Sequence, residues 1–406
     1  MILGMLSAFA PLSTDMYLAG FDLISDHFHA PDGAIEKTLS VFFLGLAVGQ
    51  AIYGPLIDRF GRRKPLLVGV AIYLVSTTLC LVTSHLGAFV LFRFFQAIGG
   101  CSGMIVGRAI IKDLFDERES ARALSLVITV VTLAPVLAPA VGGVVISIAG
   151  WKAVFVLMLA FGLLCAVLAW KFIPETLAPK DRKSEGPKQI VATWWHLLSN
   201  RAFLQPVIVG GLVQACMFAF ITGSPFVFMT LHHASPKQYG LLFALIACSL
   251  VISAQLNRAA LKYRSPEFLL GASLIVNLSA GVLLVLSVST GSLVLMMIPL
   301  WFAIGSLGFV GANAAAIAME SSGKHAGSGS SLVGIFQFTF AFAISMIVAA
   351  TQNGTAYPMA ITILACGLAA NLIWRGIPRQ GLPPISGDKE SAAGVPQPVC
   401  SQVYRK

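Results

Sequence analysis

The chain has 406 residues, of which 57% are hydrophobic and only 11% charged, and its net charge is +10. A mean hydropathy of +0.85 excludes an ordinary water-soluble protein, since so much apolar surface has no soluble arrangement. The positive balance is not a nucleic-acid footprint either, because no basic patch with interleaved aromatics stands outside the loops.

A backbone in lipid must satisfy its own hydrogen bonds, so a run of about 20 apolar residues reads as a spanning helix. Twelve such runs follow one another, at roughly 1–24, 38–57, 65–84, 87–110, 122–148, 152–173, 203–229, 239–257, 267–288, 293–318, 329–350 and 356–374. Lysine and arginine set their orientation, since short cytoplasmic loops retain these residues. Of the 27, 23 fall on alternate connections and the tail, while Lys37, Lys152 and Lys237 lie on the other face and Arg93 lies inside a run. Both termini are therefore expected in the cytoplasm.

The first run has no charged leader and carries Asp15 deep within it, so it is a span and not a cleavable signal. Its abrupt start suggests that a short cytoplasmic leader precedes it. Asp15 lies about 21 Å along the run, and Asp22 lies nearer the outer mouth. Between the second and third runs stands "YGPLIDRFGRRKPLL", residues 53–67. Gly54 and Gly61 allow close approach and a tight turn, and Arg59, Arg62, Arg63 and Lys64 hold the loop at the surface. Asp58 ends a helix, where the dipole is unfavourable, and so needs a positive partner. Either the neighbouring arginines or the start of the eleventh run, "GSGSS" at 327–331, can serve; the second choice would latch two parts of the molecule together.

The fourth run contains "LFRFFQAIGGCSG", 91–103. A buried arginine costs about 2.5–3.5 kcal/mol, so Arg93 should face the protein interior and have a partner, for which Asp15 is the one strong candidate. Such a pair either fixes two helices or serves as a proton site, because burial and a nearby cation act on a carboxyl in opposite senses. Gly99, Gly103 and Gly107 should form a close helix contact. In the fifth run, "LAPVLAPAVGG" (133–143), which ends on Gly142 and Gly143, Pro135 and Pro139 remove helix hydrogen bonds, and Ala134, Ala138 and Gly142 form a small-residue face for tight packing against another helix.

The charged stretch 174–189 divides six runs from six more. The expected fold is thus an all-α membrane protein with twelve transmembrane helices in two six-helix bundles, residues 1–174 and 203–375. A cytoplasmic linker covers 175–202, and a disordered cytoplasmic tail, rich in Pro, Gly and Ser, covers 376–406. The second half has no charge inside its runs and offers Gln214, Asn277, Asn313 and Gln337 with Phe218 nearby. With Asp15, Asp22, Gln50 and Gln96 from the first half, Gln214, Phe218, Asn313 and Gln337 make a candidate substrate-binding set. Six of seven cysteines fall inside runs, so neither a disulfide framework nor a metal site is expected.

The loop Gly54-x-Leu-x-Asp58-Arg59-x-Gly61-Arg62-Arg63-Lys64 resembles the signature between helices two and three of the major facilitator superfamily, where it belongs to a gating charge network. "LAPVLAPAVGG" resembles the antiporter motif of that superfamily's drug exporters, read as a barrier to proton leak, although Ala138 stands where glycine is usual. Arg93-x-x-Gln96-x-x-Gly99 resembles its helix-four arginine motif, implicated in proton transfer, with Ala97 in place of a usual glycine. "PLSTDMYLAGF" (11–21) and "ITGSPFVF" (221–228) resemble the Bcr/CflA subgroup of the bicyclomycin and chloramphenicol resistance type, except that Ala19 replaces a common proline. The resemblance implies the major facilitator fold and export of antibiotics from a bacterial inner membrane by proton antiport. Asp15 and Arg93 match the coupling residues; the expected partners are small molecules, protons and lipid, with no nucleic acid and no cofactor, and the protein is expected to be a monomer. Export of an amino acid or other metabolite is the rival reading, and a membrane sensor without transport a more distant one. No HExxH, GxSxG or GxxxxGK[ST] points to an enzyme.

Overall fold

The computed structural model describes residues 1–31, 33–182 and 187–376, and every regular element among them is helical. The chain opens with α1 (Ile2–Ser7), α2 (Phe9–Asp15), a 3₁₀ turn (Leu18–Gly20) and α3 (Phe21–Phe28). There follow α4 (Ala34–Phe60), α5 (Arg63–Val82), α6 (Leu86–Leu114), α7 (Glu117–Ala149) and α8 (Trp151–Phe172). Next come α9 (Pro187–Ser199), α10 (Arg201–Pro225, prolonged by a π-helical turn, Phe226–Leu231), α11 (Pro236–Ala260) and α12 (Pro266–Val288). The chain closes with α13 (Leu293–Gly305), α14 (Leu307–Ser322), α15 (Ala326–Ala350) and α16 (Tyr357–Gly376).

Eleven of these spans are long and apolar enough to cross a membrane, with α13 and α14 counted as one. The twelfth crossing is the first run, and here the structure corrects the expectation of one continuous helix. Polar side chains bond to the backbone along it: Ser7 Oγ donates to the Leu3 carbonyl at 2.9 Å, and Thr14 Oγ1 donates to the carbonyls of Ala10 and Pro11, each at 3.1 Å. Pro11, which has no N–H, sits in the first turn of α2, where none is required. Local bonds of this kind compete with the regular ladder and leave helix-end carbonyls for other partners.

Helix ends follow their local chemistry. Ser235 and Gln238 form a reciprocal capping box at the start of α11, and Asp116 accepts from the Glu119 N–H at 2.8 Å at the start of α7. Gly61 stops α4 with φ +87°, a left-handed backbone conformation that favours glycine.

The face bearing Arg62 and α9 is termed the loop face, and the face bearing Gly33, Gly150 and Ser235 the far face. Two seams join the first half to the second, α4 along α15 and α7 along α11. Toward the far face one apolar core spans both halves, with Tyr17, Phe43 and Phe155 packed in a continuous cluster with Phe218, Tyr239 and Phe338. Toward the loop face the core divides. Phe9, Leu66 and Ile110 belong to one cluster, while Leu197, Phe203 and Leu332 belong to another. The second of these includes α9, so the expected linker holds a helix that packs on the second half. The expected disordered tail, apart from Gly376, lies outside the described residues, as does Cys400.

Candidate functional site

Where the loop-face core divides lies a cavity of about 810 Å³. Its wall includes Ser7, Gln50, Asp58, Arg108, Thr193 and Ser331, drawn from α1, α4, α6, α9 and α15. The far end is closed by backbone contact between the halves. A Cβ added to Gly143 would strike the Pro236 carbonyl, and one added to Gly240 would strike that of Pro139, so only glycine lets α7 and α11 meet there. The proline-containing segment of α7 thus forms part of the far-face closure, with Ala134 and Ala138 buried and Gly142 against the Met16 carbonyl.

Above the cavity sits Arg93, fully buried on α6. One amino group, Nη1, donates to Gln96 Oε1 at 2.6 Å, and Nη2 donates to the Ser13 carbonyl at 2.8 Å. The guanidinium carbon lies 4.2 Å from the ring centre of Tyr17 and 4.4 Å from that of Phe42, positions suited to cation–π attraction. Gln96 in turn donates to Thr77 Oγ1 at 2.8 Å. Ser13 Oγ and Tyr73 Oη share a bond of 2.9 Å, and Tyr17 Oη and Thr38 Oγ1 one of 3.1 Å. Side chains of α4, α5 and α6 therefore clasp the interrupted first crossing at the point where it breaks.

The expected ion pair between Asp15 and Arg93 is not formed. Arg93 uses a carbonyl in the last turn of α2 instead, an acceptor that the interruption of the helix releases. Asp15 is 2% exposed, and its Oδ1 has no hydrogen-bond partner. The 3₁₀ turn Leu18–Gly20, three residues further on, packs against both α7 and α11, so this stretch of the first crossing lies near the junction of the two halves. In this conformation Asp15 does not line the cavity.

The other candidate residues scatter. Gln50, 6% exposed, lines the cavity. Gln96 belongs to the Arg93 cluster, and Asp22 is exposed at the far face beside Thr230. Phe218 packs on Phe43 across the halves with ring centres 4.5 Å apart. Asn313 donates to Asn257 Oδ1 at 2.9 Å within the second half, and Gln214 and Gln337 are half-buried away from the cavity wall. The expected set is therefore not gathered around one cavity, since residues chosen for polarity inside a run also serve helix-to-helix bonding.

In the signature loop, Arg62 donates to Asp58 Oδ1 at 2.6 Å and to Asp113 Oδ2 at 2.9 Å, and Thr176 also donates to Asp113 at 2.9 Å. Glu175 accepts from the backbone N–H groups of Arg62 at 2.8 Å, Leu177 at 3.1 Å and Arg63 at 3.3 Å. Burial works against its charge, but these donors and the Arg182 cation outweigh it and hold the carboxyl below its ordinary pKa. This network closes within the first half. Of the two partners open to Asp58 in the sequence, the neighbouring arginine is the one used, and no latch to α15 forms among the described residues; Arg59 points elsewhere, over the Phe60 ring.

Sequence reasoning missed Arg108 by counting it among the loop cations. It lies inside α6 on the cavity wall. The available signal was its spacing from Arg93, about four helical turns, which puts both on a similar side of one helix.

A family model described as Major Facilitator Superfamily matches residues 3–348. The chain is 29% identical to a bicyclomycin resistance protein homolog of Haemophilus influenzae, with 90% of this chain and 92% of the relative covered. It is 31% identical to the multidrug resistance protein MdtL of Salmonella dublin, with 80% and 82% covered. Among solved structures, a bacterial homolog of the human lysosomal transporter Spinster, in an inward-facing and occupied conformation, superposes with a TM-score of 0.71 at 19% identity, covering 92% of this chain and 94% of that one. With a family match over most of its length and a helical fold that superposes on a member structure, the chain belongs to the Major Facilitator Superfamily of membrane transporters.

Proposed function

We propose that this transporter exports small amphiphilic drugs, including antibiotics, across a bacterial inner membrane in exchange for protons, working as a monomer with the loop face and both termini in the cytoplasm. The observation that carries the reading is Asp15: a buried carboxyl, one oxygen unpartnered, on an interrupted helix at the junction of the halves. An ionised carboxylate with an unpartnered oxygen is costly in such surroundings, whereas a carboxylic acid is less so, so proton exchange there alters how tightly the halves close. Arg93 is held by neutral partners and keeps the broken crossing in place while that exchange occurs. The divided loop-face core and its cavity suit a state open to the cytoplasm, and the α7–α11 contact suits a barrier on the outer side. The names of the bicyclomycin and multidrug resistance relatives support drugs as cargo.

A metabolite as cargo is the second reading, favoured by the charged cavity wall at Arg108 and Lys112. Everted vesicles carrying a proton gradient distinguish the two. Partial collapse of the gradient on adding drugs is expected. No response to a broad drug panel, with a response to amino acids or other metabolites, would replace the first reading by the second.

A further inference from the structure

We propose that the loop-face cavity recognises an anionic group on the cargo, with Arg108 as its specificity-determining residue, so that small carboxylates are preferred to their neutral or cationic analogues. This rests on the transport reading but is separate from the Asp15 site.

Charge placement carries the argument. Among the described residues the acids in the cavity wall are Asp58 and Asp113, and both are engaged by Arg62 at 2.6 and 2.9 Å. Arg108 has no hydrogen-bond or ion-pair partner among the described residues, although it stands on a membrane-spanning helix and its side chain is exposed into the cavity. Exposed in the cavity, the guanidinium keeps its donors available, and its planar fork fits a carboxylate through two parallel bonds. Lys112, one turn nearer the loop face, lines the same wall and adds attraction at the entrance. Opposite stand the hydroxyls of Ser328, Ser330 and Ser331, in the first turns of α15. Apolar side chains of Ile105 and Val131 line the wall beside these groups, which suits a cargo with an acidic head and an apolar body.

Trp194 also lines the cavity and provides a fluorescence readout. The full-length protein in nanodiscs of zwitterionic lipid is titrated with three matched pairs, each an N-acetyl aromatic amino acid and its carboxamide. Wild type should bind the acids about tenfold or more tightly than the amides. Arg108→Gln should remove that preference, and Arg108→Lys, which keeps the charge, should retain part of it and shows that the site tolerates substitution. Equal binding of acid and amide by wild type, absence of saturable binding of all three acids, or an undiminished preference in Arg108→Gln would overturn the proposal. Loss of the preference when phosphatidylglycerol is included in the nanodisc would assign Arg108 to a lipid headgroup and overturn it as well. Drug-driven proton movement in vesicles is scored separately. If it persists in Arg108→Gln without any acid preference in wild type, the anion site fails and transport stands; acid preference without proton movement has the opposite meaning.

Discussion

The first half of the molecule places ionisable groups within its spans, whereas the second half bonds its interior with amides. Asp15, Arg93 and Arg108 all belong to the first half. In the second, Asn313 bonds Asn257 at 2.9 Å, Asn371 bonds the Leu274 carbonyl at 2.8 Å, and Asn277 bonds the Ala303 carbonyl at 3.0 Å. Carboxamides do not titrate, so a proton leaves these bonds unchanged, while a carboxyl changes its charge and its bonding together. Under the proposed function, the difference places proton-linked switching in the first bundle and a counter-surface that does not titrate in the second.

The largest expected effect comes from removing the charge that organises the first half. Arg93→Leu leaves the Ser13 carbonyl and Gln96 without their donor and should lower stability by about 3 kcal/mol, read as a fall in thermal midpoint in detergent. Export should be lost even at temperatures where the variant is folded. Next in size is the seam between the halves. Gly143→Leu forces a side chain against the Pro236 backbone and should disfavour the far-face closure by about 2 kcal/mol. Spin labels at the far ends of α7 and α11 should then show a longer distance population, and an unchanged distribution would remove that contact from the gate.

A control in the second half sharpens the contrast. Asn313→Leu breaks an amide bond and should cost about 1 kcal/mol, yet the pH profile of export should keep its shape. A shifted profile would mean that both halves take part in switching. The smallest effect concerns Glu175. Its depressed pKa means that the stability it lends the loop is present above the usual carboxylate range and is lost as pH falls through the lower value of the folded state. Because the group is exposed, the effect should stay under about 1 kcal/mol. Hydrogen exchange of the Arg62 and Arg63 amides, corrected for intrinsic rate, should rise on acidification in wild type and depend far less on pH in Glu175→Gln.

Hydropathy made the crossings legible, because length and apolarity suffice to specify a helix in lipid and nothing else has to be known. A close approach of α7 to a neighbour could likewise be read from Ala134, Ala138 and Gly142, since small residues leave a visible pattern, but Gly143, the residue that meets α11, lies outside that spacing. The break near Asp15 could not. It is accompanied by Ser7 and Thr14 bonding to their own backbone and by Arg93 arriving from another helix to take the Ser13 carbonyl, and the second of these has no sequence period. Polar residues within spans were equally ambiguous: Gln50 faces the cavity while Asn313 ties two helices, and only packing separates these fates. Arg108 was hidden by the rule that reads cations near helix ends as topology signals.

The central claim is that the Asp15 carboxyl carries the proton, and it is tested most directly in proteoliposomes with a pH dye inside. Drug added to one side should move protons in the opposite direction for wild type. Asp15→Asn should abolish that movement while the folded protein still binds drug, and Asp15→Glu should restore part of it. Drug-driven proton flux at the wild-type rate in Asp15→Asn would contradict the account.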